Sequence, residues 1–377
     1  MKLSFRNLRF PVEQARGRRY PEPPHPYRNE FQRDRDRIVH ARAFRRLENK
    51  TQVFPPGVSD HFRNRLTHTI EVAQIARTVA MVLDLDEDLT EALALSHDIG
   101  HPPFAHAGEK ELDQEMARFG DRFDHNLHAL RIVEQFERRY ARFPGLNLTF
   151  EVREGMAKHS RDFEPGEFPE LDEYLPGLRP PLEAQIIDPA DEIAYNTADL
   201  DDAYSANLIS LDEVCHAVPA YGELLETIQT QYCGASIQVQ FRESIRSLID
   251  WLVSGLIEGT VQAVKASGVS SLDDIRRCPR RLVRLTEERE RATVALKKYL
   301  LRNVYQSEVV RAERERTAGM IPRLFRYYME DPTRLPVAYA EQLEEVPAHR
   351  LVCDYLAGMT DGYLIRIHEQ LFGGQGS

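Results

Sequence analysis

The chain has few of the features that mark a secreted or membrane-embedded protein. Only four of its 377 residues are cysteine, and these lie far apart with no CxxC pair. Such a set favours reduced thiols in a cytoplasmic protein over a disulfide framework. No uninterrupted apolar segment approaches the roughly 18 residues that a membrane-spanning helix needs, and the first residues lack the apolar stretch of a secretory signal. We therefore expect a cytoplasmic protein that does not enter a membrane.

Basic residues are also fewer than acidic residues. The formal net charge is −11, because 60 acidic residues outnumber 49 lysines and arginines. Non-specific affinity for nucleic acid comes from a basic surface, so nucleic-acid binding is not indicated. A local group of arginines and a metal ion can outweigh the overall field at short range. The charge is thus compatible with an anionic small-molecule substrate.

The alternating pattern that predicts β-strands is nearly absent, so the sequence predicts an all-α protein. We expect a proline-rich arm over residues 1–30, a helical core over 31–205 and a further helical region over 206–377. Beyond the first hundred residues, the helical patterns lie at about 125–140, 149–159, 182–205, 235–267, 285–317 and 349–372.

Histidines are concentrated in the stretch "LALSHDIGHPPFAHAGEKEL", residues 93–112. His97 and Asp98 are adjacent, so on a helix their side chains diverge by about 100°. Gly100 suits the left-handed position that ends a helix, and the prolines after it cannot continue one. We expect this helix to end at Ile99. Because the preceding residues are apolar, the His-Asp pair is expected at the mouth of a helical core.

Two ligands that diverge from one helix can hold a metal ion only if other helices complete the ligand set. His68, near the start of a strongly apolar helix, and Asp191, in "IIDPADEIAYNTADLDDAY", are the candidates. Nitrogen and oxygen ligands of this kind suit Mn²⁺, Fe²⁺, Co²⁺, Zn²⁺ or Mg²⁺. A histidine on an apolar helix is more often an ordinary core residue, however, and a His-Asp dipeptide often occurs by chance. Spacing alone leaves both interpretations open.

The order of these residues resembles the H…HD…D signature of the HD-domain metal-dependent phosphohydrolases. The surrounding sequence resembles, more closely, the bacterial deoxynucleoside triphosphate triphosphohydrolases, the dGTPase-like family. The matching blocks are "RAFRRLENKTQVF", "NRLTHTIEVAQIART", "LSHDIGHPPFAHAGE", "FDHNLHALRIVE", "DEIAYNTADLDDA" and "CDYLAGMTD". They follow one another in the family's order from about residue 28 to the C-terminus.

The resemblance implies an HD-domain helical core and a helical C-terminal region that completes the pocket and makes subunit contacts. It implies hydrolysis of a dNTP to a deoxynucleoside and inorganic triphosphate, in control of the dNTP pool. The implied ligands of a divalent ion (Mn²⁺, Mg²⁺ or Co²⁺) are His68, His97, Asp98 and Asp191. This ion would polarise an α-phosphoryl oxygen or activate the attacking water. Family members form homo-oligomers, often hexamers or tetramers, and several respond to a regulatory dNTP.

The same resemblance assigns proton transfer to a small group of residues. His106 and Glu109 match the family's catalytic pair, and they share a helix face if a helix begins at residue 104 or 105. His125 matches a further histidine at the phosphates. Sequence does not decide whether His106 or His125 protonates the leaving 5′ oxygen. The family usually has glutamine where this chain has His128.

Five further residues are implied as substrate contacts. Arg65 is expected at phosphate oxygens, and His101 is expected at a phosphate or behind the metal ligands. Tyr195 is expected against the deoxyribose, and Gln52 and Asp199 at the 3′-hydroxyl. Without the resemblance, Tyr195 would be interpreted as a core aromatic and Asp199 as a surface residue.

Two other functions remain open at this point. One is an HD-domain nucleotide monophosphatase or cyclic-nucleotide phosphodiesterase, and the other is a non-catalytic protein that binds dNTPs and regulates something else. The junction of Gly100 with His101, together with the stripe that bears Tyr195 and Asp199, fits the triphosphohydrolase better than the first. A pure binding protein has no need of proton-transfer groups, which argues against the second.

Overall fold

The computed structural model describes residues 4–52 and 62–373. Within these ranges the regular structure is helical, and the β-type pairing is confined to two isolated bridges, Arg18 with Thr149 and Thr51 with Asn64. The predicted all-α fold is confirmed. None of the helices in the described ranges combines the length and the apolar character needed to cross a membrane.

Nineteen α-helices lie within the described ranges. In chain order they are α1 (Glu30–Val39), α2 (Arg42–Arg46), α3 (Arg65–Leu83), α4 (Glu87–Ser96), α5 (Ala105–Ala117), α6 (His125–Arg131), α7 (Phe150–Lys158), α8 (Leu182–Gln185), α9 (Ile187–Ser205), α10 (Leu211–Ala217), α11 (Pro219–Gln231), α12 (Ile237–Ser267), α13 (Leu272–Arg277), α14 (Glu287–Asn303), α15 (Glu308–Thr317), α16 (Met320–Glu330), α17 (Val337–Ala340), α18 (Ala348–Ala357) and α19 (Asp361–Phe372).

Most of the predicted helices are present, but the sequence pattern merged some and missed others. The predicted helices at 149–159 and 235–267 correspond to α7 and α12, whereas the one at 285–317 is two helices, α14 and α15. Helices α10, α11, α13, α16 and α17 were not predicted. A signal for α10 was present, because Ser210 and Glu213 form a capping box at its start.

The chain divides into two compact units, each assembled from three segments. Unit 1 comprises Met1–Arg35, His68–Leu95 and Thr149–Glu308, and unit 2 comprises Asp36–Thr67, Ser96–Leu148 and Val309–Ser377. The segments of the two units alternate along the chain. The predicted domains, in contrast, are continuous ranges that meet after residues 30 and 205, so the two divisions cannot be compared directly. The predicted domain boundaries therefore stay a prediction.

In unit 1, the described part of the proline-rich arm is packed against helices. Phe5, Leu8 and Phe10 are buried, and the Phe5 N–H donates to the Leu83 carbonyl at 2.9 Å. The Phe10 N–H donates to the buried carboxylate of Glu183 at 2.8 Å. Elsewhere in this unit, α9 packs against α12 and α14. These contacts fix the helix that carries Asp191.

In unit 2, α5 packs against α16 and α18, and α16 also packs against α19. Their shared apolar core includes Leu112, Met116, Ile321, Leu324, Phe325, Leu351, Leu356 and Leu364. This packing fixes the apolar face of α5. The position of its polar first turn, which carries His106 and Glu109, is fixed with it.

The predicted end of α4 and the predicted reason for Gly100 were both wrong. Helix α4 ends at Ser96, and residues 97–100 form turns. Gly100 does not have a positive φ. A Cβ at this position would lie 2.0 Å from the His125 carbonyl oxygen and 2.6 Å from the Ala129 nitrogen. Glycine is required here because the turn approaches the backbone of α6, a tertiary cause that local sequence does not reveal.

Candidate active site

Asp98 is the centre of a buried polar group in unit 2. Arg65, the first residue of α3, donates from Nη1 to Asp98 Oδ2 at 2.7 Å. His101 Nε2 lies 3.1 Å and His97 Nε2 3.5 Å from Asp98 Oδ1. Burial alone would raise the pKa of Asp98, but Arg65 and the two histidines outweigh it and hold that pKa well below its usual value. The carboxylate is therefore ionised, as a metal ligand must be.

His68 and Asp191 form a second pair, in unit 1. His68 lies one turn after Arg65 on α3, and its Nε2 atom is 2.7 Å from Oδ1 of Asp191 on α9. Asp188 lies one turn before Asp191, and burial together with the charge of Asp191 raises the pKa of Asp188 to about 6. Asp188 is a further acidic neighbour that the sequence did not single out.

The chemistry of these two pairs fits a divalent metal ion. Each pair combines an imidazole nitrogen with a carboxylate oxygen, and the separations are 2.7 Å in one pair and 3.5 Å in the other. Adjacent ligands at right angles on an ion with bonds of ~2.1 Å lie about 3 Å apart. Mixed nitrogen and oxygen donors of this kind suit Mn²⁺, Co²⁺, Fe²⁺ or Zn²⁺.

Glu109 is bonded more closely to His125 than to its expected partner, His106. Helix α5 begins at Ala105, so His106 and Glu109 share a face, but His106 Nδ1 lies 3.7 Å from Glu109 Oε2. His125 Nδ1 lies 2.7 Å from Glu109 Oε1, and the same oxygen accepts the His125 backbone N–H at 3.2 Å. The His106 side chain is 87% exposed, against 22% for His125.

Glu109 and His125 each stabilise the charged form of the other. Burial would lower the pKa of His125, but the hydrogen bond and the charge of Glu109 outweigh it and raise that pKa. Burial would raise the pKa of Glu109, but the nearby His106 and the hydrogen-bonded His125 together lower it far below the usual value. The pair thus favours an imidazolium beside a carboxylate, which is an arrangement that can donate a proton.

His101 lies between this ion pair and Asp98. Its ring stacks on that of His125, with centroids 4.1 Å apart and planes at 14°. Burial, followed by the charges of Arg65 and His125, holds the pKa of His101 well below its usual value. Its Nδ1 atom is buried and has no hydrogen-bond partner among the described residues. A neutral imidazole at this point can donate to an anionic oxygen or accept from a donor.

Tyr195 and Asp199 lie on α9 with Asp191, and each has a partner from a distant part of unit 1. The Tyr195 hydroxyl donates to Glu192 at 3.2 Å, and Lys297 Nζ lies 3.1 Å from Glu192 and 5.5 Å from the centre of the Tyr195 ring. Tyr305 donates from its hydroxyl to Asp199 Oδ2 at 2.5 Å. Sequence reasoning missed Lys297 and Tyr305, because nothing in the local pattern links residues about a hundred positions apart.

Gln52 and His128, in unit 2, each have one side-chain atom with no hydrogen-bond partner among the described residues. These atoms are the buried Oε1 of Gln52 and the buried Nε2 of His128. His128 Nδ1 lies 2.8 Å from the Gly100 carbonyl oxygen, and burial lowers its pKa to about 4. His128, which stands where the family usually has glutamine, therefore supports the turn after Asp98 with a neutral imidazole ring.

Lys50 was also missed by sequence reasoning. It is fully buried, and its ammonium group donates to the carbonyls of His101 and Ala357. Burial, and next the charge of Arg46, lower the pKa of Lys50 to about 7. An apolar environment without these two carbonyls would not hold a lysine, so Lys50 fixes the turn that carries His101.

The predicted site residues fall into one group in each unit. The group in unit 2 consists of Gln52, Arg65, His97, Asp98, His101, His106, Glu109 and His125, and the group in unit 1 consists of His68, Asp191, Tyr195 and Asp199. Within unit 2, direct contacts join Arg65 to Asp98, Asp98 to His101, and His101 to His125. The functional roles of these residues stay predictions.

Comparison with known families places the chain in a class. The family model described as an HD domain matches residues 65–196, which contain all four predicted metal ligands, and the one described as a phosphohydrolase-associated domain matches residues 283–370. The helical fold and the matched domains define an HD-domain metal-dependent phosphohydrolase.

Similar proteins narrow the class to a family. A deoxyguanosinetriphosphate triphosphohydrolase-like protein of Geobacter sulfurreducens is 44% identical, over 95% of this chain and 92% of its own length. Proteins with the same description from Ralstonia nicotianae and Bordetella pertussis are 43% and 42% identical, over 95% of this chain and 92% and 94% of their own lengths. The chain belongs to this deoxyguanosinetriphosphate triphosphohydrolase-like family.

Proposed function

We propose that the protein hydrolyses dNTPs to deoxynucleosides and inorganic triphosphate and contributes to control of the dNTP pool in the cytoplasm. The observation that carries the proposal is the Glu109–His125 ion pair, which stacks through His125 on His101, itself in contact with Asp98. Membership of the family supports the choice of substrate. A proton donor beside an ionised carboxylate of the HD pair suits the cleavage of a phosphate ester.

His68, His97, Asp98 and Asp191 are the proposed ligands of one divalent ion, which we expect to be Mn²⁺, Mg²⁺ or Co²⁺. When bound, such an ion supplies Lewis-acid chemistry at the α-phosphoryl group. Arg65 holds Asp98 in its ionised form and orients it, because it donates to Oδ2 and leaves Oδ1 towards the two histidines. Arg65 and His101 are also proposed to meet phosphate oxygens of the substrate.

His125 is the proposed proton donor to the leaving 5′ oxygen. A sugar alkoxide is a poor leaving group and needs a proton in the transition state. His125 is favoured over His106 because Glu109 raises its pKa and fixes its Nδ1 atom at a hydrogen-bond distance of 2.7 Å. His106, which is exposed and less closely bound to Glu109, is proposed to contact the phosphates.

Recognition of the deoxyribose is proposed for three residues. Tyr195 would pack on the sugar at C2′, where a ribose hydroxyl would find neither room nor a partner. Gln52 offers a buried acceptor atom, and Asp199, held by Tyr305, offers a fixed carboxylate for the 3′-hydroxyl. A buried unpaired hydroxyl costs about 1–3 kcal/mol. Each ~1.4 kcal/mol is a factor of ten in rate, so roughly ten- to a hundred-fold selection against ribonucleotides is expected.

A regulatory dNTP and a homo-oligomer, as a hexamer or tetramer, belong to the same proposal. Unit 2 contains a cavity of about 740 Å³, a size that suits a nucleotide. Its lining includes five arginines and three tyrosines, the residue types that bind phosphates and stack on bases. They are Arg42, Arg45, Arg46, Arg138, Arg366, Tyr339, Tyr355 and Tyr363. We propose this cavity as the regulatory site.

Product analysis tests the proposed reaction. The protein is incubated with Mn²⁺ and each dNTP, and with GTP beside dGTP, and the products are separated by chromatography. Deoxynucleoside with intact triphosphate is expected, with dGTP preferred over GTP and no reaction after chelation. The Asp98→Asn variant should be inactive while keeping its helical circular dichroism.

The alternatives predict different products. Release of dNMP with pyrophosphate, or of dNDP with phosphate, would contradict the assignment of the cleaved bond. Turnover of nucleoside monophosphates or cyclic nucleotides alone would favour the monophosphatase or phosphodiesterase. Tight dNTP binding without turnover at any metal concentration would favour a non-catalytic regulator.

A further inference from the structure

Asp361 is a buried carboxylate at the start of α19 whose bonds lead away from its own helix. Oδ2 accepts the Thr51 backbone N–H at 2.9 Å and the Thr51 hydroxyl at 2.5 Å, and Oδ1 accepts the Phe104 backbone N–H at 3.1 Å. An aspartate in the first turn of a helix usually serves that helix. Here Thr360 already caps α19 through the Tyr363 N–H, so the carboxylate of Asp361 is available to the two distant segments.

Both of these segments lead directly into the proposed site. Thr51 precedes Gln52, the residue proposed to meet the 3′-hydroxyl. Phe104 is the N-cap of α5, and the first turn of that helix carries His106 and Glu109. One carboxylate therefore sets the backbone position of a sugar-binding residue and of the helix that holds the proton-transfer residues.

The backbone where Asp361 meets α5 is strained. Phe104 has a φ of 61° and Ala105 a φ of 52°, so two consecutive residues with a Cβ adopt the left-handed conformation. Such a conformation is unfavourable for L-residues and persists only where surrounding contacts impose it. The hydrogen bond from the Phe104 N–H to Asp361 is one such contact, since it binds the amide of the first strained residue.

Lys50 makes a parallel connection between the same parts of unit 2. Its ammonium group joins the carbonyl of Ala357, at the end of α18, to the carbonyl of His101. Thus the region between α18 and α19 is bonded on one side to the His101 turn and on the other to Thr51 and Phe104. This region lies within the match to the phosphohydrolase-associated domain, residues 283–370.

We propose that Asp361 is a positioning residue that holds Gln52 and the start of α5 in register for dNTP hydrolysis. The inference rests on the proposed function, because it takes Gln52 and Glu109 to act on a dNTP. Asp361 itself touches neither substrate nor metal in this proposal. Its loss lowers turnover by moving Glu109 and weakens recognition of the 3′-hydroxyl by releasing Gln52.

The test compares Asp361→Ala and Asp361→Asn with a matched control, Thr360→Ala, which removes the cap of the same helix and leaves the Asp361 bonds. Turnover of dGTP and of its 2′,3′-dideoxy analogue is measured with Mn²⁺. Asp361→Ala should lower kcat by roughly ten-fold or more, because about that factor accompanies each ~1.4 kcal/mol lost. It should also reduce the preference for the substrate with a 3′-hydroxyl. Asp361→Asn should retain more of the kcat and more of the preference for the 3′-hydroxyl than Asp361→Ala does. Thr360→Ala should retain the preference for the 3′-hydroxyl in full.

Amide hydrogen exchange supplies a second measurement that does not require activity. Exchange at the Thr51 and Phe104 amides should be at least roughly ten-fold faster in Asp361→Ala than in wild type, while Thr360→Ala leaves it unchanged. Equal exchange and an equal sugar preference in Asp361→Ala and Thr360→Ala would overturn the proposal. A wild-type protein that hydrolyses no dNTP would end the proposed function, and unchanged exchange at Thr51 and Phe104 would end the positioning role separately.

Discussion

At the scale of single residues, the structure distinguishes two histidines that the sequence treats alike. Both His106 and His125 can reach Glu109, but the 2.7 Å contact belongs to His125 and the 3.7 Å contact to His106. A short contact between opposite charges in a partly buried place raises the pKa of an imidazole. We therefore propose His125 as the proton donor, whereas the family resemblance had paired Glu109 with His106.

Replacing Glu109 by Gln tests this pairing through pH. The hydrogen bond and the charge of Glu109 raise the pKa of His125, so that pKa should fall when the carboxylate is lost. An acid that must be protonated loses activity as the pH rises through its pKa. The basic limb of the kcat/KM profile should therefore move to lower pH in Glu109→Gln, and activity at pH 8 should fall more than activity at pH 6.

A suitable control for this experiment lies on the same helix. Asp113 accepts the Phe123 backbone N–H at 3.0 Å, so Asp113→Asn disturbs the same connection between α5 and α6 without removing the partner of His125. Its profile should keep the wild-type basic limb. A Glu109→Gln profile that is scaled down at every pH, with both limbs unmoved, would contradict the role of His125 as the acid.

At the scale of helices, α6 and the turn after α4 depend on one another. The His128 ring contacts the Gly100 carbonyl, Gly100 has no room for a side chain, and α6 begins at His125. The turn that carries His97 and Asp98 is therefore packed backbone to backbone against the helix that carries His125, the proposed proton donor. A change at Gly100 is expected to move both.

Gly100→Ala should destabilise the protein and slow the reaction together. A methyl group 2.0 Å from the His125 carbonyl oxygen must displace α6, and overpacking of this kind costs about 1–3 kcal/mol or more. The control is Gly234→Ala, since a Cβ there meets nothing within 4 Å. Urea unfolding and dGTP turnover measure the two effects. Wild-type values of both in Gly100→Ala would show that the turn and α6 are not coupled.

At the scale of the whole molecule, the proposed regulatory cavity lies beside segments that support the proposed active site. The arginine-lined cavity lies in unit 2, and its lining residues Gly358 and Met359 lie two to three positions before Asp361 in the chain. A ligand that orders this region could change the position of the residues that Asp361 and Lys50 hold. Such coupling requires that the ligand bind one arrangement of the region better than another.

A second dNTP should therefore change the rate of hydrolysis of the first. We expect activation in wild type at low substrate concentration, and its loss in Arg42→Ala/Arg366→Ala with the basal rate retained. The control is Arg246→Ala/Arg277→Ala, which removes two exposed arginines from unit 1. Sedimentation velocity with and without the second dNTP measures the oligomer at the same time. An equal response in both double variants would rule out the cavity as the regulatory site.

The sequence by itself determined the helical class, the family and the candidate residues. Helical periodicity and the order of His68, the His97-Asp98 pair and Asp191 depend on spacing along the chain, which is fully visible in the sequence. A helix start at residue 104 or 105 was only a condition for His106 and Glu109 to share a face, and the structure begins α5 at Ala105. Sequence misjudged the end of α4, because α6 rather than a local left-handed glycine sets the backbone there.

Only the tertiary structure decided how these residues are paired and supported. The partner of Glu109, the bond from Tyr305 to Asp199, and the bonds of Asp361 to Thr51 and Phe104 join parts of the chain that lie 16 to 310 positions apart. No local pattern carries such information, because a hydrogen bond depends on where two side chains meet in space. The pKa values of Lys50 and the site histidines have the same origin, since burial and neighbouring charges exist only once the chain has folded.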